Sequence, residues 1–160
     1  MPERPEVGTP APEFELASNV GDQPIRLSDY KGKQAVVLYF YPADDTPGCT
    51  TESCGFRDLQ SEFAAAGAAV LGVSPDDVAS HGKFAAKFHL NFPLLADPDH
   101  KVAESYGAYG EKNMYGKKSM GIIRSTFVIG KDGNIAKVYA RVKVNEHADS
   151  VLGVVRALPA

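Results

Sequence analysis

The chain has 160 residues and a mass of 17.1 kDa, the size of a single domain spanning 1–160. Apolar residues make up 44% and charged residues 23%, a balance that excludes an intrinsically disordered chain. A net charge of −3 excludes nucleic acid or an anionic membrane as a main partner, and two cysteines are too few for a disulfide scaffold or a four-cysteine zinc site.

Residues 1–12, rich in Pro and Glu, read as a loosely held lead-in, most clearly over 1–7. They carry no apolar stretch of the secretory kind, so the expected location is cytoplasmic. Ala35–Tyr41 is a continuous apolar run of strand length, expected to be buried on both faces of a sheet, and Ala69–Val73 reads the same way. A helix from about Pro47 to Ala66 is expected between them, with Phe56, Leu59 and Phe63 on one stripe and Gly67 as its stop. That strand–helix–strand unit implies a parallel pair with a right-handed crossover. Ser74-Pro75 reads as an N-cap and first turn of a helix to about Phe88. A short strand at Leu94–Ala96 and a short helix over Asp99–Tyr106 follow.

Ser125–Ile129 and Asn134–Val144 flank the turn signal Lys131-Asp132-Gly133 and are expected to form a hairpin. In its second strand, Ala136, Val138, Ala140, Val142 and Val144 alternate with Lys137, Tyr139, Arg141 and Lys143. The basic row is read as a solvated, charge-protected strand face. A terminal helix over Glu146–Leu158 closes an α/β domain with a central mixed β-sheet flanked by helices.

Chemistry is expected where the first long strand runs into its helix, because function in α/β sheets collects at strand carboxyl ends. Thr46, Pro47, Gly48 and Cys49 read as N-cap, N1, N2 and N3. There the helix dipole and free backbone N–H groups favour a thiolate. The nearby charges, Asp44, Asp45 and Glu52, oppose it. Arg57 lies eight residues down the helix, about 12 Å along its axis and out of reach. The needed cation must come from elsewhere, and Arg124, set between apolar residues at a strand start, is the candidate. An arginine snorkelling from a strand end is an equal alternative.

Cys49 and Cys54, five apart in an intact helix, have Cα atoms roughly 8.6 Å apart, whereas a disulfide needs about 7 Å or less. Either the thiols stay separate or the helix start unwinds. Inert buried cysteines are the competing reading. A metal site finds no support, since His81, His89, His100 and His147 are scattered and read as surface or helix-end residues. Gly110–Ser119 fails the spacing of a phosphate loop.

The sequence resembles a peroxiredoxin of the peroxiredoxin Q, or bacterioferritin comigratory protein, group. The resemblance is carried by Pro42-x-x-x-Thr46-x-x-Cys49 within Tyr39-Phe40-Tyr41-Pro42 and Asp44-Asp45-Thr46-Pro47-Gly48-Cys49-Thr50-x-Glu52. Phe56-Arg57-Asp58, Gly116-Lys117-Lys118 and Gly121-Ile122-x-Arg124-Ser125-Thr126-Phe127 also match. So do Gly8-x-x-Ala11-Pro12-x-Phe14-x-Leu16 and Leu27-x-Asp29-Tyr30-x-Gly32-Lys33, for a span of about 8–157. Gly130 stands where an acid is usual and Ser119 where an aromatic is frequent; neither touches the core motif, and Ser119 leaves the rim of the site undetermined.

The resemblance implies a thioredoxin-like fold and a thiol peroxidase without metal, flavin or haem. Cys49 would be the peroxidatic cysteine, oxidised to a sulfenic acid. Thr46 and Arg124 would hydrogen-bond the sulfur and the peroxide oxygens, and Pro42 would shield the sulfur. Cys54 would resolve the sulfenic acid as an intramolecular disulfide, and thioredoxin or a related dithiol would reduce it. A monomer is expected, with hydrogen peroxide and organic hydroperoxides as substrates. Phe40, Phe56 and Phe127 hint at apolar peroxides, although core packing is the commoner use of such residues.

Overall fold

The computed structural model describes residues 4–114 and 116–159. Short antiparallel strands β1 (Glu15–Leu16) and β2 (Ile25–Arg26) precede the long strand β3 (Ala35–Phe40). Helices α1 (Pro47–Asp58) and α2 (Gln60–Ala65) lead to β4 (Ala68–Ser74), which α3 (Val78–Phe88) connects to β5 (Leu94–Ala96). Then come α4 (Lys101–Ser105), the hairpin β6 (Tyr109–Met114) and β7 (Lys117–Ile122), β8 (Ser125–Ile129), β9 (Ile135–Tyr139) and α5 (His147–Arg156). The central sheet has the order β5-β4-β3-β8-β9. β3, β4 and β5 run parallel, while β8 is antiparallel to both β3 and β9. This is the expected mixed sheet.

β3 occupies the middle of the sheet, and its alternation divides the core. Ala35, Val37 and Tyr39, with Tyr41 beyond the strand end, enter the cluster under α1, α2, α3 and α5. Val36, Leu38 and Phe40 enter the cluster on the other face, with Ala103, Tyr106 and Phe127. All six residues of β3 are buried, as the unbroken apolar run requires. Gly72 of β4 leaves room for Tyr39: a Cβ there would stand 2.8 Å from the tyrosine ring and hydroxyl oxygen.

Several local expectations change. The lead-in is tied down from Gly8 onward: Gly8 N–H donates to Ile135 O, Ile135 N–H to Thr9 O and Ala11 N–H to Gly133 O. The helix expected over 47–66 breaks at Leu59, whose backbone (φ −106°, ψ 8°) tightens onto Phe56 O, although Phe56, Leu59 and Phe63 still face one cluster. Asp77, not Ser74, caps α3, because its side chain accepts the Ser80 N–H at 2.8 Å; Ser74 ends β4.

β9 stops at Tyr139 instead of running to Val144. A bulge between Val128 and Ile129 shifts its register, so Ile135 and Val138 face one cluster while Ala136 and Tyr139 face the other. The strict alternation expected of this strand is therefore lost. Arg141 adopts a left-handed backbone and carries the chain out of the sheet. Among the described residues, no helix is long and apolar enough to cross a membrane.

Candidate active site

β3 delivers the chain through Tyr41 into the loop 42–46, and α1 begins at Pro47 with Thr46 as its N-cap. Proline suits this first position because its missing N–H has no intrahelical partner there, and its φ is already helical. Cys49 lies in the first turn, 1% exposed, within the cluster that also holds Tyr39, Tyr41 and Phe56. The Thr46 side chain makes no capping bond to the helix. Its hydroxyl instead donates to Ala43 O at 3.0 Å, closing the loop on itself. Pro42 and Thr46 are both half-buried beside that loop.

The cation that the local sequence lacks is Arg124. It sits between β7 and β8, one residue before the strand that pairs with β3, and its Nη2 donates to Cys49 Sγ at 3.2 Å. Its Nη1 donates to Glu52 Oε1 at 2.7 Å. The backbone holds it too, since Val142 N–H donates to Arg124 O. The snorkelling alternative therefore fails: the Arg124 side chain is only 18% exposed and both terminal nitrogens are engaged. Gly48 eases the approach, because a Cβ on it would stand 3.2 Å from Nη2 and press the guanidinium back by a few tenths of an ångström.

Glu52 lies one helical turn beyond Cys49, and its side chain is wholly buried. Burial pushes its carboxyl up to about 7 despite the charge and hydrogen bond of Arg124. Among the described residues its second oxygen, Oε2, meets no hydrogen-bond partner. Lys112 of β6 is a further cation whose charge interacts with those of Arg124 and Cys49, and no motif in the sequence marks it. Burial and the Arg124 charge lower its amino group, and the charge of Cys49 acts in the opposite sense. Its stem runs past Gly121, Cδ lying 3.4 Å from where a Cβ would be.

The two cysteines are free thiols within one intact helix. Cys49 is buried and Cys54 half-buried. Arg57 keeps away from Cys49, as expected, and donates to Asp58 and to Phe88 O. Phe56 shares the Cys49 cluster, but Phe40 and Phe127 pack on the opposite face of the sheet, so for those two core packing is the correct reading. Ser119 is exposed on β7, opposite Lys112.

His81 corrects the expectation of a surface or helix-end residue, because it is fully buried within α3. His147 does lie at a helix end, the start of α5, but is buried there with Nε2 2.8 Å from Thr126 Oγ1. Burial and the Arg124 charge lower the His147 imidazole to about 4. His89 and His100 do sit at helix ends, both in left-handed backbone conformations. Among the described residues, no three His, Cys, Asp or Glu side chains group as a metal site would require.

The AhpC/TSA family pattern matches residues 7–138. The chain belongs to that family. Within it, this peroxiredoxin falls in the peroxiredoxin Q (Bcp) group. It is 50% identical to peroxiredoxin Bcp of Bacillus subtilis over 147 residues, covering 92% of each chain. It is also 50% identical to a putative Bcp peroxiredoxin of Coxiella burnetii, covering 92% of this chain and 97% of the relative. Among solved structures, a Xylella fastidiosa PrxQ mutant superposes with a TM-score of 0.89 at 39% identity, over 97% of this chain and 98% of that one. The bacterioferritin comigratory protein of Xanthomonas campestris gives 0.87 at 40% identity, over 95% and 98%. The fold is thioredoxin-like, and the peroxiredoxin is a thiol peroxidase that takes peroxide substrates and a thiol reductant.

Proposed function

We propose that this chain, acting as one domain over 1–160 and as a monomer, reduces hydrogen peroxide and organic hydroperoxides in the cytoplasm by a two-cysteine cycle regenerated by thioredoxin. The 3.2 Å contact from Arg124 Nη2 to Cys49 Sγ carries the reading, because it places a fixed cation on the thiol that must ionise. The Cys49 thiolate attacks the terminal peroxide oxygen and the O–O bond breaks. Sulfur is oxidised to Cys49–SOH, and the leaving oxygen takes one proton to depart as water or an alcohol.

Thr46 and Arg124 are assigned complementary parts. The Thr46 hydrogen is committed to Ala43 O, so its oxygen is left as an acceptor that orients the peroxide O–H. The Arg124 guanidinium faces the charge that moves from sulfur to oxygen. Pro42, at the mouth of the loop, limits water at the sulfur. Cys54 then attacks Cys49–SOH, forming the S–S bond and releasing water. Both thiols start within one helix, so its first turns must unwind for the bond to close. Thioredoxin or a related dithiol returns both thiols and is itself oxidised to a disulfide.

Organic substrates are supported by the Xanthomonas campestris relative, whose structures concern its alkyl peroxide reduction activity. The test is steady-state turnover with hydrogen peroxide and an alkyl hydroperoxide, driven by thioredoxin. Cys49→Ser should abolish turnover, and Cys54→Ser should form sulfenic acid that thioredoxin recycles poorly. Full turnover by Cys54→Ser would overturn the two-cysteine cycle.

A further inference from the structure

The start of α1 is held from two sides, and only one belongs to the chemistry above. Arg124 grips Cys49 and Glu52. On the other side, the loop 42–46 is bound to α3 and the end of β4 by a buried polar cluster centred on Asp44. Tyr41 Oη donates to Asp44 Oδ1 at 2.6 Å, and Ser80 Oγ donates to Oδ2 at 2.7 Å. His81 Nδ1 lies 2.8 Å from the same Oδ2, while its Nε2 lies 2.9 Å from Leu95 O. The Asp44 backbone N–H donates to Asp76 Oδ2 at 2.7 Å, and Ser74 Oγ donates to that oxygen as well. The His81 side chain is wholly buried and that of Asp44 is 4% exposed.

The donor count fixes a proton in this pair. Leu95 O can only accept, so Nε2 carries a hydrogen. A 2.8 Å contact between Nδ1 and a carboxyl oxygen then needs a second hydrogen between them. Burial raises the Asp44 carboxyl, but the hydrogen bonds from His81, Tyr41 and Ser80 outweigh it and hold the group below the usual carboxylate range. The carboxylate is thus satisfied by three donors, two of them on α3. A buried pair of this kind is costly to break on one side only, so it is either closed or fully released. Next to it, Asp45 has a left-handed backbone (φ 56°) and an exposed ion pair with Lys87, also on α3.

We propose that Asp44 and His81 are positioning residues: they form a buried latch that docks the loop before Cys49 onto α3, and its release permits α1 to unwind. The role in disulfide formation rests on the two-cysteine reading, but the latch itself does not. Closed, it presents Cys49 to Arg124. Open, it removes one of the two holds on residues 42–52, while the later part of α1 stays anchored through Ser53 on Tyr39 Oη, Phe56 in the core and Arg57 on Phe88 O.

Amide hydrogen exchange of the reduced protein tests the latch without any peroxide chemistry. Asp44→Asn and His81→Gln should accelerate exchange over residues 43–53 at least about tenfold, with β3, β4 and β8 unchanged. Ser80→Ala, which removes one donor and spares the fold, should act in the same direction. Lys87→Ala should change exchange by less than about twofold, because it loses only an exposed pair. Exchange that rises uniformly, or that stays unchanged in 43–53 in Ser80→Ala and His81→Gln, overturns the proposal. With peroxide, the latch variants should oxidise Cys49 more slowly yet close the Cys49–Cys54 disulfide faster. A general loss of structure would slow both steps, and that result also counts against the latch. Failure of the two-cysteine reading is separately visible, as a wild-type protein that forms no such disulfide.

Discussion

Arg124 joins Cys49 to Glu52 through separate nitrogens of one guanidinium, at 3.2 Å from the sulfur and 2.7 Å from the carboxylate. One rigid cation therefore serves two acids on successive turns of α1. A guanidinium does this because its donors are fixed in a planar fork.

Arg124→Gln should lower the rate of Cys49 oxidation by about 10²–10³, the usual loss when a preorganised donor facing developing charge is removed. Stopped-flow peroxide consumption measures it. The same substitution leaves Glu52 without its partner in the core and should lower stability above about pH 7, and that loss should fade as pH drops below 7, where Glu52 is protonated.

Glu52 also sets a pH slope in the wild type. Its carboxyl is raised from 4.5 to about 7 in the folded protein, so the folded state binds the extra proton between those values. Stability from this group is present in full below pH 4.5 and falls as pH rises to about 7, by roughly 3 kcal/mol. Glu52→Gln should flatten that part of the slope in denaturant titrations run from pH 4.5 to 7.5.

Gly48→Ala separates stability from rate. Alanine is the better helix former by up to about 1 kcal/mol, so thermal stability should hold or rise. Its Cβ would press on Arg124 Nη2, and a displacement of a few tenths of an ångström should slow peroxide reduction by about tenfold. Equal rates in the variant and the wild type would show that the guanidinium yields without cost.

Gly72→Ala acts on the scaffold beneath the site. Its Cβ would collide with Tyr39 at 2.8 Å and meet Leu94 at 3.0 Å. Overpacking of this kind costs about 1–3 kcal/mol. Tyr39 Oη also bonds Ser53 Oγ of α1 at 2.8 Å, so a shifted ring should disturb the helix. Urea unfolding measures the first effect, and amide exchange at Ser53 the second.

What the chain reveals before folding is uneven for physical reasons. The β3 run and the Thr-Pro-Gly-Cys helix start are legible because propensity, burial and capping position agree there. Arg124 stood out only as an arginine among apolar residues, since its meaning lies in a partner 75 positions away. In the sequence His81 reads as a surface or helix-end residue and Asp44 only as a charge opposing the thiolate, because a buried polar cluster leaves no periodic signal. The hairpin β6–β7 leaves no signal in the sequence: its residues lack an apolar alternation, and most of β7 is exposed. The bulge at Val128–Ile129 defeats any reading of β9 by strict alternation.

The central claim is that peroxide is reduced at Cys49 while Arg124 holds its sulfur. The most direct measurement is a single turnover of the reduced protein with one equivalent of peroxide, quenched and resolved by peptide mass. The account predicts one oxygen added at Cys49 first, converting to a Cys49–Cys54 disulfide, with both species absent and peroxide unspent in Cys49→Ser. Peroxide consumed at the wild-type rate by Cys49→Ser, or first oxidation at Cys54, would contradict it.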